Sequence, residues 1–125
     1  MITLDKSVSV AAVVVTFNRK VLLIECLKAL LNQDQPLNRI YLIDNASTDD
    51  TPALLREEGL LENSLIEYVR LEQNTGGAGG FYEGIKLAHE ADYDWIWVMD
   101  DDAEPKTDAL RELMSCTDKT GQSSY

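Results

Sequence analysis

The chain is expected to fold as an α/β domain, a parallel sheet with helices on both faces. Three observations point there. Four apolar runs, residues 8–16, 40–44, 66–71 and 95–99, have strand length and are rich in β-branched or aromatic residues. The segments between them carry apolar residues at helical spacing. Strands that alternate with helices imply βαβ units, and these place every strand parallel to its neighbours.

Each element has its own local warrant. Residues 8–16 form a β-branched run that reads as a buried strand, and Asn18 is placed to cap the helix that follows. Leu23, Ile24, Leu27, Leu30 and Leu31 recur at helical spacing as far as Asn32, and Pro36 ends the next loop. Ile40 to Ile43 form a second short strand that ends in Asp44. Ser47-Thr48-Asp49-Asp50 has capping-box spacing, and Pro52 suits a first helical turn. Ala53, Leu54, Leu55 and Leu60 supply that helix's apolar face, with Gly59 at its stop. Residues 66–71 are less apolar, as an edge strand would be. A glycine-rich loop from Asn74 to Gly80 precedes a helix over about 81–91. The run Trp95-Ile96-Trp97-Val98-Met99 reads as a strand buried on both faces. A short helical pattern covers 107–114, and the polar stretch 117–125 is expected to be a frayed tail.

Composition limits what the domain does. At 125 residues the chain suffices for one domain with a real core. A net charge of −11, with no Lys or Arg cluster, argues against a nucleic-acid partner, because phosphate backbones require such clusters. Cys26 and Cys116 are far apart and form no CxxC pair, which fits free thiols in a reducing compartment. Residues 8–15 are too few to span a bilayer, and residues 1–7 lack the basic start of a signal peptide. A cytoplasmic location is expected, and membrane attachment would need a segment outside this sequence.

The chemistry is concentrated after the strands. Asp100, Asp101 and Asp102 follow directly on the Trp95 run. Three carboxylates gathered at one strand end repel, and a divalent cation such as Mg²⁺ or Mn²⁺ removes the conflict. The plainer alternative is a solvated acidic turn, but three in a row at the edge where α/β sheets bind ligands favour a metal site. The other three strand ends carry Thr16-Phe17-Asn18-Arg19, Asp44-Asn45-Ala46-Ser47 and the glycine loop. Together the four suit a nucleotide with a diphosphate. Arg19 pairs with phosphate or stacks on a base. Asp44 and Asn45 hydrogen-bond a base or ribose edge. The glycines let backbone N–H groups approach a ligand.

These four elements, in this order, resemble the nucleotide-binding half of family 2 glycosyltransferases of the Rossmann-like GT-A fold. The resemblance rests on Val14 to Arg19, Asp44 to Asp49, Asn74 to Phe81 and Asp100 to Asp102, and covers nearly all of the chain to Leu113. The combination is similar to the galactofuranosyltransferase-like and rhamnosyltransferase-like branches. The resemblance implies that residues 1–116 are the nucleotide-sugar-binding region of a truncated catalytic domain. It implies that Asp102 binds the metal and that Asp100 contacts the ribose or the cation. Asp101 faces the sugar or serves as a second ligand. Thr16, Phe17 and Arg19 line a uridine or thymidine pocket, and either Asp44 or Asn45 reads the base. Asn74, Gly76, Gly77, Gly79 and Gly80 shape the donor-sugar side. The implied partners are a UDP- or dTDP-sugar and a glycan or lipid-linked acceptor in cell-surface polysaccharide synthesis.

The general base of an inverting transfer is expected beyond the aspartates. Glu104, Asp108, Glu112 and Asp118 are the acidic residues that follow, and all lie too near the motif or in the tail to match it. Donor binding with little turnover is therefore expected, and exposed apolar surface left by truncation favours self-association. Two other readings stay open. One is a binding module with no catalysis of its own. The other is a metal-dependent nucleotidyltransferase, disfavoured because Phe17-Asn18-Arg19 lacks the glycines its first loop needs. Tyr93, Trp95 and Trp97 read as core or rim residues, and His89 as a surface or packing residue rather than a ligand.

Overall fold

The structure, a computed structural model, describes residues 8–120, with side chains described as far as Cys116. The readings made for residues 1–7 and 121–125 lie outside the described residues. Eight elements alternate along the chain. They are β1 (Val10–Thr16), α1 (Lys20–Leu31), β2 (Arg39–Asp44), α2 (Thr51–Glu57), β3 (Ile66–Arg70), α3 (Gly76–Glu90), β4 (Trp95–Asp100) and α4 (Ala109–Thr120). The four strands form one parallel sheet in the order β3-β2-β1-β4.

Alternation along the strands divides the core in two. Val10, Ala12 and Val14 face α1, α2 and α4, where Leu23, Leu27, Leu55 and Leu110 close over them. Ala11, Val13 and Val15 face the opposite side with Tyr41, Ile43 and Ala88. All seven residues of β1 are buried, as expected for a central parallel strand. The predicted helices-on-both-faces architecture is therefore the one observed.

Four local expectations are corrected. The glycine run is not a loop: Gly76 opens α3, and Gly76 to Gly80 form its first turn. Glycine is a poor helix former in isolation, but here the helix must approach β1 closely. A Cβ on Gly80 would lie 2.6 Å from a Val15 methyl, and one on Gly84 would lie 2.3 Å from a Val13 methyl. Asn18 does not cap α1. Arg19 occupies that position, and Asn18 stands before it with φ +53°. The capping box of α2 is not formed either. Asp50 holds the cap position without a side-chain bond, and Asp49 instead accepts the Thr51 N–H at 3.1 Å. Finally, β4 is an edge strand, so its apolar run is only half covered and Val98 is 44% exposed.

α4 continues through Thr120, into the stretch expected to be tail. A buried amide docks its first turn. Gln33 Nε2 donates to the Ala29 and Lys106 carbonyls, and Gln33 Oε1 accepts the Leu110 N–H. Among the described residues no helix is long and apolar enough to cross a membrane.

Candidate nucleotide site

Strand register brings the chemistry-bearing residues to one edge. Thr16 lies opposite Asp44, Val15 opposite Asp100, and Asp44 opposite Arg70. The C-terminal ends of β1, β2 and β4 thus meet the start of α3. A pocket of about 310 Å³ opens there. Its walls are Val15 and Thr16 at the end of β1, Phe17 and Arg19 after it, Asn45 after β2, Asn74, Gly76 and Gly77 around the start of α3, Asp100 at the end of β4 and Asp101 after it. The edge is the one at which parallel α/β sheets bind ligands.

The three aspartates have different surroundings. Asp101 is buried, and its Oδ2 accepts the Thr16 hydroxyl at 2.8 Å. Arg19 Nη1 stands 3.6 Å from Asp101 Oδ1 and 3.6 Å from Asp102 Oδ2. Asp100 and Asp102 are exposed. The Asp100 carbonyl accepts the Ala103 N–H at 3.1 Å, and the Cys26 thiol lies 3.9 Å from it. Cys26 is buried, and that burial, with Asp101, Asp102 and Glu104 nearby, pushes its pKa up to about 12. A neutral thiol therefore lies beneath the aspartate turn. Among the described residues no group of three or more His, Cys, Asp or Glu side chains could hold an ion by itself. Two exposed carboxylates, Asp100 and Asp102, still offer the hard oxygen donors that Mg²⁺ and Mn²⁺ prefer when phosphate oxygens complete the shell.

Asp44 at the end of β2 and Asn45 after it are engaged within the protein. Asp44 is wholly buried, and its Oδ1 accepts the Ser47 N–H. Its Oδ2 accepts the Tyr68 hydroxyl at 2.6 Å and Arg70 Nη1 at 3.1 Å. Burial and the bond to Asp44 push the Tyr68 pKa up to about 12. Asn45 reaches the start of α3. Its Oδ1 accepts the Thr75 N–H at 2.9 Å and its Nδ2 donates to the Gly76 carbonyl at 2.7 Å. Asp44 thus braces β2 against β3, and Asn45 ties the β2 loop to α3 along the pocket wall.

The glycines separate by position. Gly76 has φ +79°, a conformation that favours glycine. No atom lies within 4 Å of a Cβ built at Gly76 or Gly77, so both border open space. Gly79 and Gly80 are not pocket walls. A Cβ on Gly79 would strike the Thr75 side chain, and one on Gly80 would strike Val15. Gly84, Tyr68 and Arg70 were not singled out in the sequence. Gly84 lies one helical turn beyond Gly80, which is the signal that would have found it. His89 is exposed on α3, away from the pocket.

Known proteins bear on this geometry. The profile of "Glycosyl transferase family 2" matches residues 11–123. The galactofuranosyltransferase GlfT1 of Mycolicibacterium smegmatis is 38% identical over 108 residues, 86% of this chain and 34% of that protein. The dTDP-rhamnosyl transferase RfbG of Shigella flexneri is 30% identical over 102 residues, covering 81% and 35% of the two chains. Among solved structures, the mannosyltransferase PcManGT from Pyrobaculum calidifontis, in complex with GDP-Man and Mn²⁺, superposes with TM-score 0.73 at 26% identity. That match covers 86% of this chain and 32% of PcManGT. TarS of S. aureus with UDP gives the same TM-score at 23% identity, covering 89% and 32%, and supports the fold. The chain spans about a third of the length of the curated relatives it matches. The profile match alone extends over most of the sequence, and the chain belongs to glycosyl transferase family 2.

Proposed function

We propose that this chain forms the donor site of a metal-dependent glycosyltransferase, which moves a sugar from a nucleoside diphosphate to an acceptor hydroxyl. One observation carries the reading. Exposed Asp100 lines the pocket with Thr16, Arg19 and the start of α3, and exposed Asp102, just outside that lining, stands 3.6 Å from Arg19 at the same edge of the sheet. The mannosyltransferase relative with GDP-Man and Mn²⁺ supports both the nucleotide sugar and the metal.

Each group has a defined task. Asp102, with Asp100 beside it, would hold Mn²⁺ or Mg²⁺. Once bound, such an ion offsets charge that develops on a leaving diphosphate. Asp101 holds the turn in place through Thr16 and Arg19. Phe17, 40% exposed at the pocket wall, offers an apolar face to a base. Gly77, at the positive end of the α3 dipole, leaves room for phosphate or sugar oxygens. UDP- and dTDP-sugars are the donors proposed, with a glycan or lipid-linked acceptor in polysaccharide synthesis.

Turnover by this chain alone is expected to be slight. An acceptor hydroxyl needs a general base within hydrogen-bond reach. Glu104 lines a separate groove with Glu25 and Lys28, and Asp108 and Glu112 gather around Arg111. None of these three lines the nucleotide pocket. Calorimetry with UDP, dTDP and GDP, each with and without Mn²⁺, tests the site. Metal-strengthened binding of at least one is expected. Asp102→Ala should abolish the metal dependence, and Arg19→Ala should weaken binding with or without metal. No binding of any nucleotide under either condition would sink the reading.

A further inference from the structure

We infer that Asn18 is a positioning residue: it clamps the β1 loop to the β2 loop and so fixes the backbone from which Arg19 reaches Asp101 and Asp102. Resting on the donor-site reading, this inference assigns a role to a side chain that lines no part of the pocket.

The geometry is specific. Asn18 takes a left-handed conformation, φ +53°, at the turn where β1 passes into α1. Asn is among the few residues that adopt this region readily. The turn aims its amide at the β2 loop. Asn18 Oδ1 accepts the N–H of Thr48 at 2.7 Å and that of Asp49 at 3.2 Å, and its Nδ2 donates to the Thr48 hydroxyl at 3.1 Å. Its own N–H donates to Ser47 Oγ at 3.0 Å. Four bonds therefore join the two loops through one residue.

What lies on either side gives the clamp its function. On the β2 side, the Ser47 N–H is held by Asp44, and the Ser47 carbonyl accepts Arg70 Nη2 at 2.7 Å. On the other side, Arg19 follows directly and spans Asp101 and Asp102 at 3.6 Å each. At that distance and with half its side chain exposed, the Arg19 contact is too weak to order the loop by itself. The backbone that carries Arg19 must therefore be held by other contacts; the Asn45 N–H to Thr16 carbonyl bond at 2.9 Å fixes the strand ends, and the Asn18 bonds fix the loop beyond them. A continuous polar path runs from Arg70 through Asp44, Ser47, Asn18 and Arg19 to the aspartate turn.

Asn18→Gly tests this. Glycine accepts the positive φ, so the turn survives while the side-chain bonds are lost. The first measurement is NMR of the ligand-free chain. In Asn18→Gly, hydrogen exchange at the Thr48 and Asp49 amides should rise about tenfold or more, as loss of about 1.4 kcal/mol per bond implies, and the Arg19 Nε–Hε order parameter should fall. Asn18→Asp keeps the acceptor oxygen and should restore both signals. Because it adds charge, it is read by NMR and not by nucleotide affinity. Freed amides with an unchanged Arg19 order parameter would overturn the positioning role, and unchanged amides would overturn the clamp. The second measurement is UDP affinity, which should fall severalfold in Asn18→Gly without a matching loss of thermal stability. If the parent chain binds no nucleotide, the donor-site reading fails, and the NMR comparison still decides the role of Asn18.

Discussion

Asp101 and Asp102 are sequence neighbours in opposite surroundings. Asp101 is buried and accepts the hydroxyl of Thr16, itself 1% exposed. Removing that carboxylate leaves a buried hydroxyl without its acceptor, so Asp101→Ala should cost about 1–3 kcal/mol of folding stability. Asp102→Ala removes an exposed group and should change stability by less than about 0.5 kcal/mol. Urea unfolding of both variants checks the contrast, and equal losses would refute the division of labour. The two cysteines differ in the same way. Burial raises the Cys26 thiol to about 12, whereas Cys116 is exposed. Alkylation of the folded chain at pH 8 should therefore modify Cys116 and spare Cys26, read by mass spectrometry. The pH dependence has a definite sign. The folded chain keeps the Cys26 proton above the point where the unfolded chain has lost it, so the Cys26 contribution to stability is fully present below about pH 9 and is lost as the pH rises toward 12.

At the scale of elements, the sequence showed most of what local physics decides. Strand runs, the apolar stripe of α1 and the proline in the first turn of α2 all appear where expected. The misreadings share one cause, which is partners distant in the chain. The first turn of α3 reads as a loop because five of its residues are four glycines and an alanine, and only contact with β1 explains them. The Asp44 contacts were hidden for the same reason, since Tyr68 and Arg70 become its partners only once β3 aligns beside β2. Asn18 reads as a cap because its true partners, Thr48 and Asp49, lie on another loop. Glycine substitutions in α3 separate packing from function. Gly84→Ala drives a methyl into Val13 and should destabilise by about 1–3 kcal/mol. Gly77→Ala meets no atom within 4 Å and gains helix propensity, so it should stabilise by up to about 1 kcal/mol. Because Gly77 lines the pocket, the same substitution should weaken nucleotide binding. Thermal melts and calorimetry on the two variants should therefore diverge in sign.

At the scale of the whole molecule, the two edges of the sheet are unlike. The β3 edge carries Glu67 and Arg70, charges that discourage pairing with another chain. The β4 edge carries Trp95, Ile96, Trp97 and Val98, with no charge between Trp95 and Met99. Beside it, an apolar hollow is lined by Ile96, Trp97, Val98 and Leu113. An uncharged, half-exposed edge strand is prone to self-association. The net charge of −11 opposes it, and the two effects respond differently to salt. Raising ionic strength from about 0.1 M to 1 M shortens the screening length from about 10 Å to about 3 Å, which removes most of the repulsion and leaves the apolar attraction. The mean mass by light scattering should therefore rise with protein concentration, and rise further with salt. Val98→Lys places a charge on the exposed edge and should return the chain toward monomer. Because Val98 lies outside the nucleotide pocket, UDP binding should be unchanged in that variant. A parent chain that stays monomeric at high concentration in 1 M salt would show that the β4 edge does not drive association, despite its composition.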